Sequence, residues 1–164
     1  MNDINKKNNT MGYMIFIMGV VFFLLPLLLQ GGDEVIEKAT ILKTSPEWQG
    51  NYDTYQPDEG LLATCQAKIG ENLTIEVYLG TWCSDSKTNV PPFIKLLDSL
   101  EQGRVGVKYY NVARKASAEV KYYVAELNVE RVPTFIFYRA GKEIGRIVEN
   151  PQKSMLEDFI EIIF

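Results

Sequence analysis

The chain has 164 residues and a net charge of −4, from 17 lysines and arginines against 21 aspartates and glutamates. That balance argues against nucleic acid or anionic lipid headgroups as ligands. With two cysteines and no histidine, the chain lacks the residues for Ser-His-Asp or Cys-His catalysis or a structural zinc site, and it is too poor in cysteine for a disulfide-stapled fold.

Residues 1–10 form a polar tail containing Lys6 and Lys7. Met11–Leu29 follows as 19 residues without a charge. As a helix this run is roughly 29 Å long, close to the ~30 Å hydrocarbon core of a bilayer. A secretory signal would have a shorter apolar region, about 7–15 residues, and a small-x-small cleavage site. Leu28-Leu29-Gln30-Gly31-Gly32 offers a poor one, so a retained single-pass anchor is the favoured reading and a cleaved signal segment the alternative. Lysines before the span and Asp33, Glu34 and Glu37 after it place the N-terminus in the cytoplasm. The remainder then faces the periplasm or another extracytoplasmic side. Residues 30–45 read as a linker, with a strand around Ile41, and 46–164 as one domain.

Within Ser45–Gln56, Trp48, Tyr52 and Tyr55 stand among Gly, Asn and Pro and are expected to cover an edge of the domain. The other reading of this stretch is a partner-binding loop. Pro57-Asp58-Glu59 opens a helix whose face carries Leu61, Leu62, Cys65 and Ile69, and Gly70 ends it. Leu73–Leu79 alternates as a strand. A helix is expected over Ser84–Gln102, a strand over Val105–Val112 and a helix over Ser117–Leu127. Pro133–Arg139 and Glu143–Val148 form a hairpin around Ala140-Gly141-Lys142. A last amphipathic helix begins at Pro151-Gln152. The order α-β-α-β-α-β-β-α predicts an α/β domain, a mixed central sheet flanked by helices.

The chemistry-bearing segment is GTWCSDSKTNVPP. Cys83 lies where an apolar strand ends and a helix begins. Unpaired amides and the partial positive charge at a helix N-terminus favour the thiolate, which is the species that attacks disulfides. Asp85, in the first turn, steadies the helix and opposes that ionisation, making it a candidate modulator. Cys65 is the other thiol. The strand Leu73–Leu79 separates it from Cys83 by roughly 23 Å of rise, well beyond the ~7 Å Cα limit for a disulfide. It is expected to be a small buried apolar group.

Together these features resemble the thioredoxin superfamily over Asp58–Phe164. Trp82-Cys83 matches the family's Trp-Cys pair. Pro91 falls where the family carries the proline of its active-site helix, and Val132-Pro133-Thr134 matches the Ile-Pro-Thr whose proline is cis and faces the sulfur. FIFYRAGKEI, Phe135–Ile144, matches the strand and hairpin that follow. With the anchor, the chain is similar to membrane-tethered thioredoxin-like proteins of bacterial envelopes.

The resemblance implies a site with Cys83, Ser86 and Pro133 as catalytic residues and Trp82, Val132 and Thr134 as substrate-contacting ones. It implies thiols and disulfides, of proteins or small molecules, as partners, with no metal or organic cofactor. Two departures change the chemistry. Ser86 stands where the family has its resolving cysteine, and Val77 where it has a buried aspartate. A dithiol cycle is thereby replaced by a monothiol one, in which a mixed disulfide on Cys83 waits for an external thiol. The competing reading is a redox-inactive scaffold on the same fold, tethered to the membrane and binding a partner through the Trp48–Tyr55 segment or the hairpin.

Overall fold

The computed structural model describes residues 34–100, 105–115 and 121–164. The tail 1–10 and the apolar run Met11–Leu29 lie outside the described residues. No described helix is long and apolar enough to cross a membrane. The chain divides into two units, Met1–Gly32 and Asp33–Phe164; the fold below is that of the second.

Its elements are β1 (Glu34–Val35), α1 (Lys38–Leu42), α2 (Pro46–Thr54), α3 (Glu59–Lys68), β2 (Leu73–Leu79), α4 (Ser84–Ser99), β3 (Val105–Asn111), β4 (Thr134–Arg139), β5 (Lys142–Val148) and α5 (Met155–Ile163). The sheet order is β1-β3-β2-β4-β5. β2 and β3 run parallel, and β4 and β5 are antiparallel to their neighbours. The two residues of β1 extend this four-strand mixed core antiparallel at the β3 edge.

Side-chain alternation sorts the interior into two layers. Leu73, Ile75, Val77 and Leu79 of β2, with Phe135 and Phe137 of β4, join Phe93 and Ile94 of α4 and Phe159 of α5 in the larger cluster. Phe93 touches Phe135, Phe137 and Phe159 with ring centroids 4.7, 6.2 and 6.4 Å away. Tyr78 and Ile136 point the other way and pack with Val112, Val129 and Val132.

Three stretches differ from the sequence reading. The stretch expected as a linker carries β1 and α1 in its described part. Ile41, expected on a strand, is on α1 and fully buried. The aromatic segment before Pro57 is a helix, begun by Ser45 at the N-cap and Pro46 in the first turn. Its Trp48 is 1% exposed and belongs to the larger core. The helix expected over Ser117–Leu127 is not formed in its described part. Instead Val124 and Val129 make an isolated bridge, and Asn128 turns the chain at φ 54°. Tyr122, Tyr123 and Val124 are weak helix formers. The Lys115 ammonium donates to the carbonyls of Lys121 and Glu130, at 2.7 and 2.6 Å, fastening the segment as a loop. Arg146, on β5, donates to the Leu127 carbonyl at 3.1 Å.

α4 runs unbroken through Pro91 and Pro92. A proline cannot donate to the carbonyl four residues back, which here is that of Lys87. The Asn51 side chain, from α2, donates to that oxygen at 2.8 Å. The carbonyl that Pro91 releases is thus held by a helix nearly forty positions earlier in sequence.

Candidate functional site

The parallel register of β2 and β3 sets Leu79 opposite Asn111. The loop that leaves β2 therefore meets the end of β3. The Thr81 amide donates to Asn111 Oδ1 at 3.2 Å, and Trp82 Nε1 donates to the Val112 carbonyl at 3.1 Å. Gly80 is required at the turn, because a Cβ there would come within 2.7 Å of the indole. The Gly80 carbonyl accepts from the Cys83 amide at 2.9 Å, which delivers Cys83 to the N-cap of α4 in extended conformation.

The Cys83 thiol is half-buried and donates to the Val132 carbonyl at 3.2 Å. The Val132–Pro133 peptide is cis. The structure thus brings together Trp82, Cys83, Val132 and Pro133, named from sequence at separations of about fifty residues. Tyr123, which the sequence reading placed on a helix, stands beside them, its ring 5.8 Å from that of Trp82.

Cys83 Sγ makes no capping hydrogen bond to the α4 amides. Ser86 is fully buried, and its Oγ accepts from the Gly80 amide at 3.2 Å; it braces the turn instead of touching Sγ. Thr134 is 1% exposed and its hydroxyl donates to the Arg131 carbonyl at 2.7 Å, so its side chain shapes the loop and presents nothing outward. Asp85 is a half-buried first-turn acid. Val77, where the thioredoxin superfamily carries a buried aspartate, is fully buried among apolar groups.

A second set of residues fixes the Val132–Pro133 loop. The Glu149 amide, at φ 60°, donates to the Pro133 carbonyl at 2.7 Å, and the Glu149 carboxylate pairs with Arg131 at 2.7 Å. Asn89 Nδ2, on α4, donates to the Glu149 carbonyl at 3.0 Å and to Asn150 Oδ1 at 2.9 Å. The helix that carries Cys83 and the loop that faces it are therefore tied through the exit of β5. The second thiol, Cys65, is fully buried on α3 in the larger cluster, and burial pushes it up to about 11. Both cysteines are free.

Comparison with known proteins places the chain in a family. The family profile described as Thioredoxin matches residues 32–158. The chain belongs to the thioredoxin family, and its mixed sheet flanked by helices is thioredoxin-like. The match begins ahead of Asp58, where the sequence resemblance was expected to start, so β1, α1 and α2 fall inside it. A thioredoxin-like protein of Acanthamoeba polyphaga mimivirus is 26% identical over 60% of this chain and 69% of its own. The thioredoxin of Malassezia sympodialis is 27% identical over 51% of this chain and 74% of its own. Among solved structures, mitochondrial thioredoxin 3 of Saccharomyces cerevisiae is 20% identical and covers 69% of this chain and 96% of its own, with a TM-score of 0.41.

Proposed function

We propose that this protein carries out thiol–disulfide exchange through Cys83 by a monothiol mechanism. The observation that carries the reading is the half-buried sulfur at the start of α4, against the carbonyl that precedes a cis proline. The bond from Sγ to Val132 belongs to the protonated thiol, since a thiolate has no hydrogen to donate. Once the proton leaves, the carbonyl dipole repels the sulfur and the α4 amides become its better neighbours. The thiolate attacks one sulfur of a substrate disulfide. A Cys83–substrate bond forms, the substrate S–S bond breaks, and the second substrate sulfur departs as a thiolate. An external thiolate then attacks the substrate sulfur of the mixed disulfide, forming a new disulfide with it and returning Cys83 as a thiolate.

Trp82 and Tyr123 wall the approach, and the backbone at Val132 aligns the incoming segment. No organic cofactor or metal enters the scheme. Ser86 has no thiol to offer, so the mixed disulfide persists until the external thiol arrives.

The protein works, in this proposal, as a single-pass membrane protein held by Met11–Leu29, with its domain on the periplasmic or other extracytoplasmic side. The test of the chemistry is substrate trapping. Tagged protein purified without reductant should carry adducts that dithiothreitol releases and that Cys83→Ala lacks. Adducts equally abundant in Cys83→Ala, or none at all, would leave a tethered binding module as the reading.

A further inference from the structure

The cations beside Cys83 are not equivalent. Lys87, one turn along α4, is neutralised by Glu47 at 2.6 Å, and Arg131, next to Val132, by Glu149 at 2.7 Å. Lys115 spends its ammonium on two backbone carbonyls while lying 4.4 Å from the Tyr123 ring. Arg114 is exposed, and no carboxylate among the described residues pairs with it. Its guanidinium lies over the Trp82 ring, Cζ 4.9 Å from the centroid. Trp82 is itself fixed by the Val112 carbonyl, two residues before Arg114. One short stretch after β3 therefore holds the indole beside the nucleophile and lays a cation on it.

We propose that Arg114 is the specificity-determining residue of this site, and that the preferred substrates are disulfides with a carboxylate adjoining the reacting sulfur. The inference rests on the exchange reading of Cys83. A guanidinium held over an aromatic face by cation–π attraction makes no hydrogen bond to the ring plane with all five of its N–H groups, and the planar fork that remains matches a carboxylate. Contact with the ring removes part of its freedom before binding, so less ordering remains when the anion arrives. The chain's net charge of −4 repels anions at long range, so a carboxylate substrate requires a local cation. Tyr123 links the two groups in space. Burial chiefly raises its phenol, the charge of Cys83 raises it further, and that of Arg114 lowers it. Asp85, in the first turn of α4, carries an opposing charge.

The test uses the full chain and reads reagent charge at constant size. Cys83 is alkylated with iodoacetate and with iodoacetamide, and the ratio of rate constants is compared among variants. Arg114→Gln should lower the iodoacetate-to-iodoacetamide ratio about three- to tenfold at low salt, and Arg114→Lys should keep most of it. The effect should fade in about 1 M salt, where the Debye length is ~3 Å. Exchange is then followed with oxidised glutathione, which is anionic, and with cystamine, which is cationic. The wild type should prefer the first, and Arg114→Gln should lose the preference through KM. A glutamate-flanked peptide disulfide, set against oxidised glutathione, distinguishes a polypeptide source of the carboxylate from a small thiol. If both disulfides react but neither ratio depends on Arg114, or all rates fall together, the inference is overturned and the exchange reading stands. If neither disulfide forms an adduct while the alkylation ratio still follows Arg114, the exchange reading fails and takes the substrate class with it.

Discussion

The two thiols of this chain have opposite surroundings, and their reactivity should divide accordingly. Cys83 is half-buried at the head of a helix, whereas Cys65 is enclosed by the larger core and pushed up to about 11 by burial. A folded sample treated with a neutral alkylating reagent at pH 8 should be labelled once, at Cys83. Cys65 should label only after denaturant is added, and mass spectrometry of the digest reads both. Prompt labelling of native Cys65 would mean that α3 opens more readily than its packing implies. The thiol pair was legible in sequence because both determinants, a strand–helix junction and an apolar helix face, are local. Asn111, Arg114 and Tyr123 were not. Their place beside Cys83 depends on the register between β2 and β3 and on how the chain loops after β3, neither of which is written in residue spacing.

At the scale of elements, hydrogen bonds at helix breaks and ends set the expectations. Asn51 serves a carbonyl that Pro91 leaves without a helical donor. Asn51→Ala should cost about 1–2 kcal/mol in a denaturant titration, the usual penalty for a lost partner of a shielded polar group. The final helix opens on a capping box, with Ser154 Oγ accepting from the Glu157 amide and the Glu157 carboxylate accepting from the Ser154 amide. Ser154→Ala should cost about 1 kcal/mol at neutral pH. The same box holds the Glu157 carboxyl below its usual 4.5. A depressed carboxyl stabilises the fold above its unfolded pKa, and that contribution disappears as pH falls through the folded value. The gap between wild type and Ser154→Ala should therefore narrow below pH 4.5, and thermal melts across that range would show it. β2 was readable residue for residue, because Leu73, Ile75, Val77 and Leu79 alternate strictly toward one layer. β1 was invisible, since two residues become a strand only when β3 offers them an edge. The stretch after β3 misled for the converse reason: its apolar residues suit a helical face, but Lys115 and Arg146 clamp it as a loop.

For the whole molecule, the anchor is the expectation that decides where the chemistry happens. The full chain should remain in the membrane pellet through alkaline carbonate washing, and removal of residues 1–32 should release it. Recovery of the intact chain in the wash would end the anchored reading. A separate consequence follows from the bond between Asn51 and the carbonyl opposite Pro91. Anyone trimming this protein to the stretch that carries the sequence motifs would begin at Pro57. That cut would discard the prop beneath α4 and strip Trp48 out of the interior. The upstream ribbon is architecture rather than leash, and recombinant versions should start before Glu34.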